Sequence, residues 1–326
     1  MIVKDEFYSE SAYRSPPELG NDSGGDLSTV RKISRQRLDW GDAKDIVPPT
    51  IFTKNTPKTL RRYEKEGDIS DDIGYEGCFD QSCLRFARLS VFSSIVNFVN
   101  IIAKVGFYAM VPMFILNEFM VYFFFQDGGS APLREVIEFF FIIVGVPFLV
   151  WKGTDILITA FPKFFIRSGR GPEWEINRRT GMVKIWKYPR RIPFVKRGKP
   201  EIIEEPFTAF TPWIGISGDR HGALYRFEFF HREKDLEAFV GDALAPQKHP
   251  VMCYAYWQFL QNYMDVTKPL PDIPALEEYR HLDPVTAEYD QKTNRPERYW
   301  RDMDDETFKQ KKREQFEEVM SYRGEV

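Results

Sequence analysis

The residue types that most readily perform chemistry are sparse in this chain. Cys78 and Cys83 bracket the segment CFDQSC, with four residues between them. A structural zinc ion takes about four ligands, and no second Cys/His pair lies close by in sequence. The two thiols therefore read as inert or, beside a membrane segment, as acylation sites. Cys253 brings the total to three, an odd and sparse set that argues against a disulfide framework. The four histidines, His221, His231, His249 and His281, are scattered. The sequence has no Walker loop, no GxSxG and no HExxH. His281 and Asp283 in HLDP read as a local turn or cap, and the acids of RDMDDE as a helix cap. The sequence thus assigns no catalytic, cofactor-binding or metal-ligating residue and reads as a protein that acts by binding, not as an enzyme.

The other residues of interest are charges in apolar surroundings. VGFYAMVPMFILNEFMVYFFF, 105–125, contains one ionisable group, Glu118. It belongs to an apolar run from 89 to 125 that also holds Lys104. QDGGSAPLRE, 126–135, is rich in turn formers, and VIEFFFIIVGVPFLVWKGTDILITAF, 136–161, is a second apolar run. About 20 apolar residues cross a hydrocarbon core of roughly 30 Å. A buried hairpin of a soluble protein would carry polar residues at helical period; these runs carry almost none. Residues 86–165 therefore read as a transmembrane helical hairpin. Arg85 and Arg88 on one flank, with Lys163, Arg167 and Arg170 on the other, outnumber Arg134 of the loop. That imbalance places both termini in the cytoplasm. With the turn near residue 130, Lys104 and Asp155 lie about 26 and 25 positions from it, at similar depth, where they can pair or snorkel. Glu118 lies deeper. A proton or ion path is the sharper reading of it; a protonated or interfacial carboxylate packed against a second helix or a partner is the plainer one.

The net charge is −3, so no bulk field favours nucleic acid. From Lys163 to Lys199, however, twelve Lys/Arg face only two acids, Glu173 and Glu175. This juxtamembrane basic stretch makes Arg167, Arg170, Arg178, Arg179, Lys184, Lys187, Arg190 and Arg191 the candidate contacts to anionic lipid or to a protein partner. Within it, EWEINRRTGMVKIWKY alternates apolar and polar residues around NRRTG and predicts a β-hairpin, with the turn arginines in solvent. FTAFTPWIGIS and LYRFEFF continue the strand pattern. DLEAFVGDAL and PVMCYAYWQFLQNYMDV predict helices, the second packing Tyr254, Trp257 and Leu260 over the sheet.

The fold class is accordingly an α+β membrane protein: a transmembrane helical hairpin followed by a small antiparallel β domain capped by a helix. Its parts are a flexible region over 1–75, rich in Pro, Gly and polar residues, the hairpin over 86–165, a cytoplasmic β-rich domain over 166–268, and a Pro-rich arm with a final helix over 269–326. No cofactor is implied.

The segments EINRRTGMVKIW, PWIGIS and LYRFEFFH, following a two-span hairpin, resemble bacterial membrane proteins with a pleckstrin-homology-like cytoplasmic domain. They resemble in particular an uncharacterised two-span family encoded beside type VI secretion and polymorphic-toxin effectors. The late pattern DP…D…RP…YW, here Asp283, Pro284, Asp290, Arg295, Pro296, Tyr299 and Trp300, belongs to the same resemblance, which covers roughly 90–305. It implies a bacterial inner-membrane location and an immunity or effector-accessory role. The partners it implies are membrane lipids, a secreted effector or toxin, and a second copy of the chain. It names no catalytic residue. The alternative function is an anionic-lipid-binding scaffold or sensor.

Overall fold

The computed structural model describes residues 7–14, 35–41, 43–66, 76–124, 133–165, 168–189, 199–220, 222–238 and 247–322. The chain divides into two units. One comprises the described parts of 1–67, 76–87 and 171–326; the other comprises Arg88–Arg170.

The first unit is built on two sheets with antiparallel pairing. Its strands are β1 (Arg35–Arg37), β2 (Cys78–Phe79), β3 (Cys83–Leu89), β4 (Ser168–Asn177), β5 (Met182–Lys187), β6 (Glu201–Pro206), β7 (Phe210–Asp219), β8 (Gly222–His231) and β9 (Glu237–Ala238). The sheet orders are β1-β7-β8-β9 and β2-β3-β4-β5-β6. The expected hairpin over EWEINRRTGMVKIW is present, with Trp174 opposite Ile185 and Ile176 opposite Val183. All four side chains are buried. The turn needs a glycine: Gly181 has φ +68°, and a Cβ there would come within 2.2 Å of the Ser11 carbonyl.

The helices of this unit are α1 (Pro49–Phe52), α2 (Pro57–Glu66), α7 (Val251–Met264), α8 (Pro284–Thr293) and α9 (Asp305–Ser321). Helix α7 is apolar on most sides and is the centre of the core. Trp257 stands edge-on to Trp40 at 4.7 Å and packs on Phe207, Phe227 and Phe229. Its indole N–H donates to the Asp39 carbonyl at 2.8 Å.

Three expectations need correction. The region over 1–75 is not a free tail where it is described. Tyr8, Tyr13, Leu38, Val47, Ile51, Phe52 and Leu60 are buried, because the aromatic core around α7 needs cover that the strands alone do not supply. The prolines that read as loop signals start a short helix, with Pro49 in the first turn of α1, where a missing N–H costs nothing. The arm over 269–326 is not separate either. Leu270, Ile273, Leu276 and Trp300 join the same core, so the described part of the arm, 269–322, is continuous with the β-rich part. Finally, the helix expected over DLEAFVGDAL begins instead as strand β9, where Ala238 pairs with Phe229; residues 239–246 lie outside the described residues. The final helix is as expected, capped by Asp304, whose carboxylate accepts from the Glu306 and Thr307 amides.

The second unit is helical: α3 (Val91–Phe124), α4 (Leu133–Phe140), a π-helical turn (Phe141–Gly145), α5 (Val146–Ala160) and α6 (Pro162–Phe165). The π turn precedes Pro147, which has no N–H to give the carbonyl four residues earlier. Two of these helical stretches, Val91–Met120 and Val136–Ala160, are long and apolar enough to cross a membrane; only 6% and 11% of their most apolar windows are buried. They meet along Ala103, Val144 and Trp151, with Gly106 allowing close approach to Pro147. The rest of their apolar surface, including Ile101, Met113, Leu116, Ile142 and Leu149, faces outward.

Candidate functional site

The basic residues singled out in the sequence separate into four environments. Arg170, Arg179 and Lys187 are exposed. Lys184 is half-buried, and its ammonium lies 3.5 Å from Glu204 on the neighbouring strand. Arg167, Arg190 and Arg191 lie outside the described residues. Arg178 is a correction, because its side chain is fully buried.

Arg178 is the first turn residue after β4, two positions beyond Ile176, and its side chain points inward with those of Trp174 and Ile176. Its guanidinium donates to Asp283 at 3.2 Å and to the carbonyls of Asp265 at 3.0 Å, Lys268 at 2.8 Å and Tyr263. Asp283 is equally buried and accepts from the Tyr8 hydroxyl at 2.6 Å and from the Thr286 amide and hydroxyl at 2.9 and 2.7 Å. Every strong polar atom of the pair is matched, which is the condition for a buried ion pair to be tolerated. Burial and the Asp283 carboxylate hold the Tyr8 phenol well above its ordinary value. Asp283 is the capping residue expected from HLDP, and it serves as the counter-ion of Arg178 as well. The sequence reading missed that second role and missed Tyr8 altogether.

The late pattern DP…D…RP…YW has the same character. Pro284 opens α8 behind the Asp283 cap. Asp290 takes a two-pronged contact from Arg280 at 2.6 and 2.7 Å. Arg295 grips Asp272 at 2.8 and 2.9 Å, and the Trp300 indole donates to the same carboxylate at 2.8 Å. These residues clasp the C-terminal segment onto the core. Burial pushes the Asp272 carboxyl up, but the hydrogen bonds from Arg295 and the charge of Arg280 outweigh it and hold the group below the usual carboxylate range. Burial raises Glu277, whose carboxylate accepts from the Trp300 and Arg301 amides.

One cleft open to a partner in the first unit, of about 460 Å³, lies where residues 7–10 run beside the β4–β5 turn. Arg179 and Glu10 give it one charge of each sign, and Ser82, Asn177 and Thr180 supply hydroxyl and amide groups. Arg179 is held by a 3.0 Å bond to the Phe7 carbonyl and lies 4.4 Å over the Phe7 ring, yet stays exposed. The arrangement suits a polar segment of mixed charge.

In the second unit Lys104 and Asp155, the charges expected to pair, do not do so among the described residues. Asp155 accepts from the Asn100 amide at 2.8 Å, and Thr154 accepts from the same nitrogen at 2.7 Å. Lys104 sits one helical turn away, 5.7 Å over the Trp151 ring, with Lys152 at 4.1 Å from that ring. Asn100 thus occupies the place expected for Lys104. Glu118 is half-buried and has no hydrogen-bond or ion-pair partner among the described residues. The loop around 130 lies outside the described residues.

The fold defines a mixed α+β protein with antiparallel sheets and two long apolar helices. Comparison with protein-family models, curated proteins and solved structures returned no match.

Proposed function

We propose that this chain is a membrane-anchored interaction protein. The observation that carries the proposal is the outward-facing apolar surface of Val91–Met120 and Val136–Ala160, which water disfavours at about 25 cal/mol per Å² and a bilayer accepts. The hairpin lies in a bacterial inner membrane with both termini in the cytoplasm. This orientation is supported by the Lys/Arg excess on its flanks. The first unit is a cytoplasmic, pleckstrin-homology-like module that docks a partner. The family resemblance supports a secreted type VI effector or toxin as that partner, with this chain as its immunity or accessory protein. The cleft beside Arg179 is the docking face. A second reading, an anionic-lipid scaffold, is favoured by Lys187, exposed at the end of β5 away from the β4–β5 turn.

Carbonate extraction should leave the chain in the membrane pellet. A phosphatase reporter at residue 130 should be active and one at 326 silent. Extraction into the supernatant would remove the anchor, and the reverse reporter pattern would invert the topology. Co-purification with a neighbouring effector, set against salt-sensitive flotation with anionic vesicles, separates the toxin reading from the lipid reading.

A further inference from the structure

The segment CFDQSC folds into the tight β2–β3 hairpin. Cys78 pairs with Arg85 and Phe79 with Leu84, and the Asp80 amide closes the tip onto the Cys83 carbonyl at 3.2 Å. Cys83 is two positions from the cross-strand partner of Cys78, so both thiols lie on one face of the hairpin. The sulfurs of Cys78 and Cys83 and a carboxylate oxygen of Asp80 all lie within 4.8 Å of one another. From these positions we infer that Cys78, Asp80 and Cys83 form a binding site for a thiophilic divalent cation of the zinc type.

The carboxylate is set in advance. Its Oδ1 accepts from the Ser82 amide at 2.6 Å, the Ser82 hydroxyl at 2.7 Å and the Cys83 amide at 2.9 Å. Those bonds fix the rotamer and leave Oδ2 to the Cys78 thiol, which donates to it at 2.8 Å. An ordinary turn explains the Oδ1 bonds. It does not explain why the carboxylate also takes the Cys78 thiol, with the Cys83 sulfur inside the same 4.8 Å cluster. The tip is also held from outside. The Tyr263 hydroxyl of α7 donates to the Asp80 carbonyl at 2.8 Å, and the Arg178 amide donates to the Ser82 carbonyl at 2.8 Å. Ligands mounted on a restrained loop, with their second oxygen already bonded, are what a metal needs.

Two thiolates and a carboxylate fit zinc. With Zn–S of about 2.3 Å and Zn–O of about 2.0–2.2 Å, tetrahedral ligand atoms stand roughly 3.5–3.8 Å apart, within the observed spread. Binding replaces the two S–H protons, which leave to solvent, and puts a net charge of −1 beside Arg85. Three protein ligands leave the fourth position to water or to a donor from a partner. The sequence reading dismissed zinc because it sought a second Cys/His pair; the third ligand is the aspartate between the cysteines. Cys83 is buried, which disfavours the acylation read from its position. This site does not depend on the function proposed above.

The test is titration of the reduced, full-length protein in detergent with Co²⁺, followed by displacement with Zn²⁺. One equivalent should give a thiolate-to-cobalt charge-transfer band that Zn²⁺ abolishes. Cys78→Ser with Cys83→Ser should remove the band. Asp80→Asn, which keeps the Oδ1 acceptor and so keeps the turn, should weaken binding at least tenfold. Cys253→Ser should leave it unchanged. Absence of a thiolate band, a band that survives in the double serine variant, or full affinity in Asp80→Asn would each overturn the assignment, provided circular dichroism shows the native fold. Air oxidation that yields a Cys78–Cys83 disulfide, with no metal bound after reduction, would overturn it too.

Discussion

In the first unit a fully buried arginine is met by a carboxylate and three carbonyls; in the second, a half-buried asparagine reaches one threonine, one aspartate and one carbonyl between two apolar helices. Arg178 is removed from water by the fold itself, whereas Asn100 is half-buried and loses water only in the bilayer proposed above, so their alternatives differ. If the first unit opens, Arg178 and Asp283 return to water, so their bonds must offset a large hydration energy. If the two long helices separate inside a bilayer, Asn100 gains no water and finds other partners, so its bonds contribute less than their number indicates. A polar contact is thus worth what its unmade state would cost.

The largest expected effect follows from the first half of that contrast. Arg178→Ala leaves Asp283 buried and unpaired and should destabilise the first unit by about 3–5 kcal/mol, out of a typical domain stability of about 5–15 kcal/mol. Tryptophan fluorescence of the full chain in detergent, followed against denaturant, measures it. Adding Asp283→Ala should recover part of the loss. A loss below about 1 kcal/mol, near that of one ordinary hydrogen bond, would break the comparison. In the second unit, Asn100→Leu should cost only about 0.6–2 kcal/mol in helix association, as polar contacts between membrane helices do. It should leave unfolding of the first unit unchanged. A loss as large as that of Arg178→Ala would mean that this cluster also faces water when the helices part.

Much of this was readable in advance, and the failures have particular causes. The hairpin over Trp174–Ile185 and the packing of Trp257 follow from periodicity, because an apolar face that repeats must be covered, and the outward apolar helices follow from the length of two runs that lack polar residues at helical period. The alternation even carried the answer for Arg178, since 174, 176 and 178 share a face. The turn composition of NRRTG concealed it, because turn charges are usually solvated. Tyr8, Asp272 and the N-terminal cover could not be read that way. Their partners lie far off in sequence, with Tyr8 and Asp283 separated by 275 positions, and local pattern carries no record of such pairing. Pro content then misled over 45–58, marking as flexible a described stretch in which Val47, Ile51 and Phe52 are buried in the core. The metal candidate was missed for a related reason: Asp80 became a ligand only through a turn that fixes its rotamer.

A smaller effect sharpens the contrast by pH. Asp272 titrates below its usual range, so its clasp stabilises the fold above about pH 4, the ordinary aspartate value, and this contribution is lost as pH falls through the lower folded value. Glu277 is raised, so its contribution has the opposite sign and fades as pH rises through its folded value. Asp272 is 42% exposed, and solvent screens it. Denaturation midpoints should therefore rise with pH only up to about pH 4, where Asp272 ionises in the unfolded chain, and Asp272→Asn should flatten that acid limb. An unchanged acid limb would remove Asp272 as its source.

The smallest effect on stability should come from the neighbour of the most sensitive residue. Arg179 is on the opposite face of the hairpin from Arg178. Its head stays in solvent over the Phe7 ring, a contact worth about 0.5–1 kcal/mol at an exposed site. Arg179→Glu should thus move stability by no more than about 1 kcal/mol, whereas Arg178→Glu, which sets a second buried carboxylate against Asp283, should unfold the unit. Charge reversal at Arg179 should instead reduce binding of a partner to the cleft it shares with Glu10 and Ser82. Melting curves and partner retention on the two variants, side by side, measure both. Loss of the fold in Arg179→Glu would show that the turn is buried as a whole. Retention of full binding would move the docking face away from this cleft.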